Sequence, residues 1–146
     1  DAGFPVFLFE RPEGIFYGFP ALDEHGVKCA EHTSGDSVAK PSEVDRSERS
    51  ADRERLESFL RVHLPGVNFH VTRHSVCLYT ITPDRDFVVD RHPAHPNVVF
   101  AAGLSGHGFK FATVLGEILA DLAVDGRTRH PIEFLRLDRP ALRAEA

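Results

Sequence analysis

The sequence predicts an α+β fold: a mixed, mainly antiparallel sheet with one helix on its face, and a carboxy-terminal strand–glycine turn–helix. Three observations predict it. Short runs with strand alternation, separated by turn residues, fill the first 32 positions. A single helical period stands apart at Ser50–His63. An apolar run, Val98-Val99-Phe100-Ala101-Ala102, then feeds through a glycine-rich turn into a second helical period.

Taken in order, Val6-Phe7-Leu8-Phe9 and Ile15-Phe16-Tyr17-Gly18-Phe19 read as two strands around a turn at Arg11-Pro12-Glu13-Gly14. Asp23-Glu24-His25-Gly26 is a second turn. Gly26 to His32 alternates with period two, placing Val27, Cys29 and Glu31 on one face and Lys28, Ala30 and His32 on the other. A meander of three antiparallel strands follows from this. Thr33 to Ser50 is polar and rich in Ser, Asp, Glu and Pro, which predicts an exposed loop. The helix from about Ser50 to His63 carries its apolar positions at Leu56, Phe59, Leu60 and His63, and Pro65-Gly66 stops it.

Val67 to Thr80 alternates and predicts a long strand, followed by a turn at Thr82-Pro83-Asp84 and a strand at Phe87-Val88-Val89-Asp90. Pro93 to Asn97 turns the chain into the apolar strand Val98–Ala102, which predicts burial. The last helix, Phe109 to about Val124, has a polar stripe at Lys110, Thr113, Glu117 and Asp121. Its apolar surface is Phe111, Val114, Leu115, Ile118, Leu119 and Leu122. Gly126 caps it, and Ile132-Glu133-Phe134-Leu135 is a final strand or extended tail.

Composition bounds the function. The 146 residues suffice for a sizeable core, and 42% hydrophobic with 27% charged residues is ordinary for a globular chain. A net charge of −5 lacks the basic footprint of a nucleic-acid binder, and no apolar run reaches membrane-spanning length. Cys29 and Cys77 have no metal spacing, and reduced thiols in a cytoplasmic protein are the expectation. The nine histidines are scattered, and His92-Pro93-Ala94-His95 reads as a turn, so no metal site is expected.

The chemistry concentrates at Gly103-Leu104-Ser105-Gly106-His107-Gly108-Phe109-Lys110. A strand, a glycine turn and a helix amino terminus make an anion-receptive corner, because unpaired N–H groups and the helix dipole both favour negative charge there. Lys110 adds a full positive charge. The order G-x-x-G-x-G is neither the dinucleotide fingerprint nor a P-loop. A tight turn that needs glycine for packing alone would serve the local pattern equally.

Five stretches occur together in this order: Tyr17-Gly18-Phe19-Pro20, Val27-Lys28-x-x-x-His32, Ser75-Val76-Cys77-Leu78-Tyr79-Thr80, Asp90-Arg91-His92-Pro93 and Gly106-His107-Gly108-Phe109-Lys110. In them the chain resembles, from about Phe16 to Leu142, the carboxy-terminal part of the monomeric sarcosine oxidase family. N-methyltryptophan and pipecolate oxidases belong to the same group. The resemblance implies the carboxy-terminal domain type of FAD-linked oxidases. Residues 1–95 would form the sheet and helix of the substrate domain. Residues 96–146 would be a strand–turn–helix returning to the flavin-binding side.

The same resemblance assigns roles. Cys77 matches the cysteine that links covalently to the flavin 8α-methyl carbon, where a thiolate must reach an electrophilic ring-edge carbon. By composition alone it would be a bland thiol. Lys28 matches a lysine that contacts the flavin ring through water and promotes reaction with oxygen, a fixed cation stabilising superoxide. His32 matches the active-site histidine beside the substrate amine. Cys29-Ala30-Glu31, between them, departs from the family's apolar–glycine–aromatic filling. Lys110 matches the lysine that pairs with the substrate carboxylate near the flavin, and Tyr17 and Tyr79 match positions lining the substrate cavity. The corner residues Gly103, Ser105, Gly106, His107, Gly108 and Lys110 would meet the pyrimidine end of the flavin, with His107 serving the turn.

The implied activity is oxidation of the C–N bond of a secondary amino acid by FAD and oxygen, giving an imine and hydrogen peroxide. A non-catalytic assembly module of the same fold, or a flavin dehydrogenase not using oxygen, are the alternatives. The abrupt start at Asp1-Ala2-Gly3 suggests a cut through a larger protein. The family's amino-terminal Rossmann half, with its G-x-G-x-x-G and a carboxylate-binding arginine, is not found in these residues. The 146-residue chain alone is therefore expected to be inactive, to retain no FAD, and either to self-associate or to have a disordered or displaced final helix.

Overall fold

The structure is a computed structural model that describes residues 3–32 and 35–143. Asp1-Ala2 at the start and Thr33-Ser34 at the head of the expected loop lie outside the described residues. The chain divides into two compact units, Asp1–Val76 and Cys77–Ala146.

In the first unit, β1 (Phe7–Arg11), β2 (Gly14–Phe19) and β3 (Lys28–Glu31) form an antiparallel sheet in the order β1-β2-β3. The β1–β2 hairpin turns where the sequence places it, with Arg11 pairing to Gly14 and Pro12 and Glu13 making the turn. Helix α1 spans Ser50–His63 and lies on one face of this sheet, with Phe59 and Leu60 buried. Its anchor is a stacked ring pair, Phe16 and Phe59, with centroids 4.2 Å apart and planes inclined by 7°. Burying two such side chains contributes about 1.5–3 kcal/mol each. Gly18 is required here: a Cβ on it would lie 2.4 Å from the Phe7 ring and 2.5 Å from the Lys28 carbonyl oxygen. At the rim, Arg55 of α1 grips Glu31 of β3 at 2.9 Å.

The strand expected at Val67–Thr80 does not form. Alternation is a property of the segment, but a strand needs a neighbouring backbone to pair with. Here side chains take the carbonyls instead. Arg53 donates to Phe69 O at 3.2 Å and Arg46 to Val76 O at 2.8 Å, while Val67 and Phe69 pack against the α1 core.

In the second unit, β4 (Val88–His92) and β5 (His95–Ala102) form an antiparallel hairpin turning at Pro93 and Ala94. Residues 95 and 96, where sequence reasoning divided the chain, fall in this hairpin. All strand pairings among the described residues are antiparallel. Helix α2 (Ala112–Val124) covers one face of the hairpin, and Leu115, Ile118 and Leu122 meet Phe87, Val89 and Leu135 in the core. The run Val98–Ala102 is half-covered rather than buried, with Val98 43% exposed, because a two-stranded hairpin under one helix has only one covered face. Gly126, at φ +71°, ends α2 next to Arg91, whose guanidinium donates to Leu122 O at 2.7 Å.

Two further expectations are corrected. The helical period from Phe109 begins as a 3-10 turn, Phe109–Phe111, so α2 proper starts at Ala112. The final strand or extended tail expected at Ile132–Leu135 is instead a 3-10 turn, Glu133–Leu135. Its Leu135 drops into the α2 core, which satisfies the apolar residue without a ladder.

Candidate active site

The meander sorts its side chains by parity. Phe16 and Cys29 go to the α1 side, and burial pushes the Cys29 thiol pKa up. Tyr17, Phe19, Lys28 and Ala30 share the opposite face, because Tyr17 pairs with Ala30 and Phe19 with Lys28 in register. On that face the Lys28 ammonium sits 5.6 Å from the Tyr17 ring centroid and 5.4 Å from that of Phe19. The Tyr17 and His32 rings meet edge-on at 6.2 Å. Three residues chosen from the sequence, Tyr17, Lys28 and His32, are thus gathered on one face away from the helix. Phe19 was missed as a contributor. Its place one strand step from Tyr17 and opposite Lys28 was the available signal.

The arrangement suits charge stabilisation. Two aromatic faces hold the ammonium by cation–π attraction. Among the described residues Lys28 makes no ion pair. Its charge therefore remains uncompensated by a carboxylate.

In the second unit the glycine corner follows β5 directly. Gly103, Ser105 and Gly106 take positive φ values of 60°, 47° and 79°. Ser105 N donates to Thr80 O at 3.1 Å and His107 N to Leu104 O at 3.0 Å, so these two amides, expected to face outward, are engaged internally. A Cβ on Gly103 would strike the Thr82 methyl at 2.5 Å, and one on Gly106 the Tyr79 ring at 2.7 Å. At Gly108 it would meet Leu104 at 2.7 Å. The glycines therefore admit the protein's own side chains, and the packing reason for them holds in full. His107 serves the turn: its Nδ1 lies 3.0 Å from Ser105 O and its ring 4.9 Å from Phe87.

Tyr79 lies against this corner, and Lys110, in the 3-10 turn ahead of α2, is exposed with its ammonium 5.3 Å from the Phe111 ring. Cys77 is an exposed free thiol, and Cys29 is free as well. Among the described residues no group of acids, histidines and cysteines could hold a metal ion, and no helix is long and apolar enough to cross a membrane.

Sequence reasoning also missed an ion pair of the second unit, buried Arg139 with half-buried Asp84. Arg139 donates to both Asp84 carboxylate oxygens, at 2.7 and 2.9 Å. Its guanidinium beside Asp84 holds that carboxyl well below the usual carboxylate range. Asp84 stood out only as a turn residue, and nothing in the local pattern of the tail distinguishes Arg139 from its neighbouring arginines.

The residues present fit a flavin with an anionic amino-acid substrate in chemical kind. The first unit offers Tyr17, Lys28 and His32, and the second offers Tyr79, Lys110 and the accessible Cys77 thiol. The corner's fit is narrower than its sequence suggests, since its glycine faces are already filled.

Residues 1–122 match the family described as FAD dependent oxidoreductase. The chain is 44% identical to monomeric sarcosine oxidase of Bacillus sp. (strain B-0618) over 98% of its own length and 37% of that enzyme's. It is 41% identical to N-methyl-L-tryptophan oxidase of Escherichia coli O139:H28, over 93% of the chain and 37% of that protein. Among solved structures, the open form of NikD, an unusual amino acid oxidase essential for nikkomycin biosynthesis, superposes with a TM-score of 0.69 at 28% identity. That match covers 90% of this chain and 37% of NikD. The chain thus spans little more than a third of the relatives it matches. With that family description matched over residues 1–122, most of its length, this chain belongs to the FAD dependent oxidoreductase family.

Proposed function

We propose that this chain is the carboxy-terminal part of a cytoplasmic FAD-dependent amine oxidase acting on a secondary amino acid, N-methyl or cyclic, to give an imine and hydrogen peroxide. The observation that carries this reading is the gathering of Tyr17, Lys28 and His32 on the sheet face opposite α1. Bound FAD supplies the two-electron acceptor, which oxygen regenerates. Lys28 holds a fixed positive charge where oxygen takes up electrons, and its aromatic seat pre-organises that charge. His32 and Tyr17 border the position of the substrate amine. Lys110 pairs with the substrate carboxylate, and Tyr79 adds an aromatic wall with a polar tip. Cys77, exposed and free, would supply the thiolate for a covalent link to the flavin 8α-methyl carbon, which would lose a C–H hydrogen as a proton while oxygen takes the two electrons released.

The test uses the full-length protein with sarcosine, N-methyltryptophan and pipecolate. Peroxide release coupled to loss of one of these amines is expected. Flavin reduction by substrate without peroxide under air would point to a dehydrogenase, and no reduction by any secondary amino acid would overturn the reading.

A further inference from the structure

The side chain of Arg139 is the most completely satisfied polar group behind the glycine corner. It is 8% exposed and reaches 55 residues back along the chain. Its Nε and Nη2 clasp both oxygens of Asp84, at 2.7 and 2.9 Å. Nη2 also donates to Asp86 O at 3.0 Å, and Nη1 to Phe87 O at 3.0 Å and Arg136 O at 3.1 Å. Only a planar guanidinium offers donors in this fork; a lysine would be a single point charge.

The loop it holds is the one that shapes the corner. Thr82 Oγ1 donates to the same Asp86 carbonyl, at 2.7 Å, which orients the threonine so that its methyl fills the space beside Gly103. Two residues earlier, Thr80 O accepts from Ser105 N at 3.1 Å. Arg139, loop 80–87 and corner 103–107 therefore form one connected chain of contacts within the second unit.

We propose that Arg139 is a positioning residue for the glycine corner, setting through Asp84, Asp86 and Thr82 the backbone geometry that the corner presents to its ligand. That the ligand is the flavin rests on the function proposed above; that the corner depends on Arg139 does not.

The experiment is amide hydrogen exchange on the full-length flavoprotein for wild type, Arg139→Lys and Asp84→Asn. Either variant is expected to speed exchange at Ser105 and its neighbours by about 10–100-fold, the range set by losing a charge-assisted hydrogen bond. Exchange within residues 115–122 of α2 should stay unchanged, and the double variant should add little to either single one. Equal acceleration in α2 would mean that Arg139 serves only global stability and would overturn the proposal, as would unchanged exchange at the corner. A loosened corner whose flavin content and visible spectrum match wild type would support the positioning role and reject the flavin as the corner's ligand. Arg139→Lys keeps charge and bulk, so a well-folded variant is available even if Asp84→Asn does not fold.

Discussion

The ring of Tyr79 occupies the space into which any side chain at Gly106 would project, its Cε2 lying 2.7 Å from that Cβ position. Gly106 also holds φ at +79°, a conformation that costs a side-chain-bearing residue about 1–3 kcal/mol. Gly106→Ala should therefore destabilise the second unit by at least about that much and displace Tyr79. A urea titration measures the first and tyrosine fluorescence the second. An unchanged midpoint would show that the ring gives way without cost.

Lys28, exposed on the sheet face, carries its charge over the Tyr17 and Phe19 rings with no carboxylate partner among the described residues. In the full-length protein, Lys28→Met should slow reoxidation of reduced flavin by about 10²–10³, the usual effect of removing one pre-organised charge. Reduction by amine should change far less. Stopped-flow measurement of the two half-reactions separates these, and equal slowing of both would assign Lys28 a structural role.

Cys77 is exposed and unpaired with Cys29. If its thiolate forms the covalent link, acid-precipitated full-length protein should retain a yellow chromophore, and Cys77→Ala should release it to the supernatant. Release from the wild type as well would defeat the covalent assignment.

Acid should expose the Asp84–Arg139 pair. Hydrogen bonds from Arg139 depress the Asp84 pKa in the folded state. A depressed folded pKa contributes stability that is fully present above the unfolded value, about 3.9, and is lost as pH falls towards the folded one. At pH 7 the Asp84→Asn variant should thus be less stable than wild type, and the gap should narrow steadily below about pH 4. Denaturation midpoints at a series of pH values check this. A gap independent of pH would mean that the carboxylate charge is not what the pair contributes.

Phe109 is 94% exposed and Val124 82%. Expressed alone, the 146-residue chain should self-associate and sediment without flavin, which absorbance at 280 and 450 nm reports together. A monomer carrying stoichiometric flavin would show that these residues hold the cofactor unaided.

The sequence by itself determined the features that depend on neighbours along the chain. Helix α1 emerged at Ser50–His63 because the apolar period and the Pro65-Gly66 stop are both local. The parity of Gly26–His32 placed Lys28 opposite the face of Cys29, and the structure keeps that separation. Motif order brought the chain to its family. Tertiary structure alone decided what depends on a partner. Val67–Thr80 alternates like a strand, yet its Phe69 and Val76 carbonyls went to Arg53 and Arg46 and its Thr80 carbonyl to Ser105 N, which no pattern within the segment could reveal. Ile132–Leu135 became a 3-10 turn because the core beneath α2 accepted Leu135. The glycines at 103 and 106 looked ready for a ligand, but their open sides were claimed by Thr82 and Tyr79, some twenty-odd residues earlier. Arg139 found Asp84 across 55 residues, and no local period encodes such a meeting. A buried charge is tolerated only where its counter-charge and carbonyls converge, and that convergence exists only once the chain has folded.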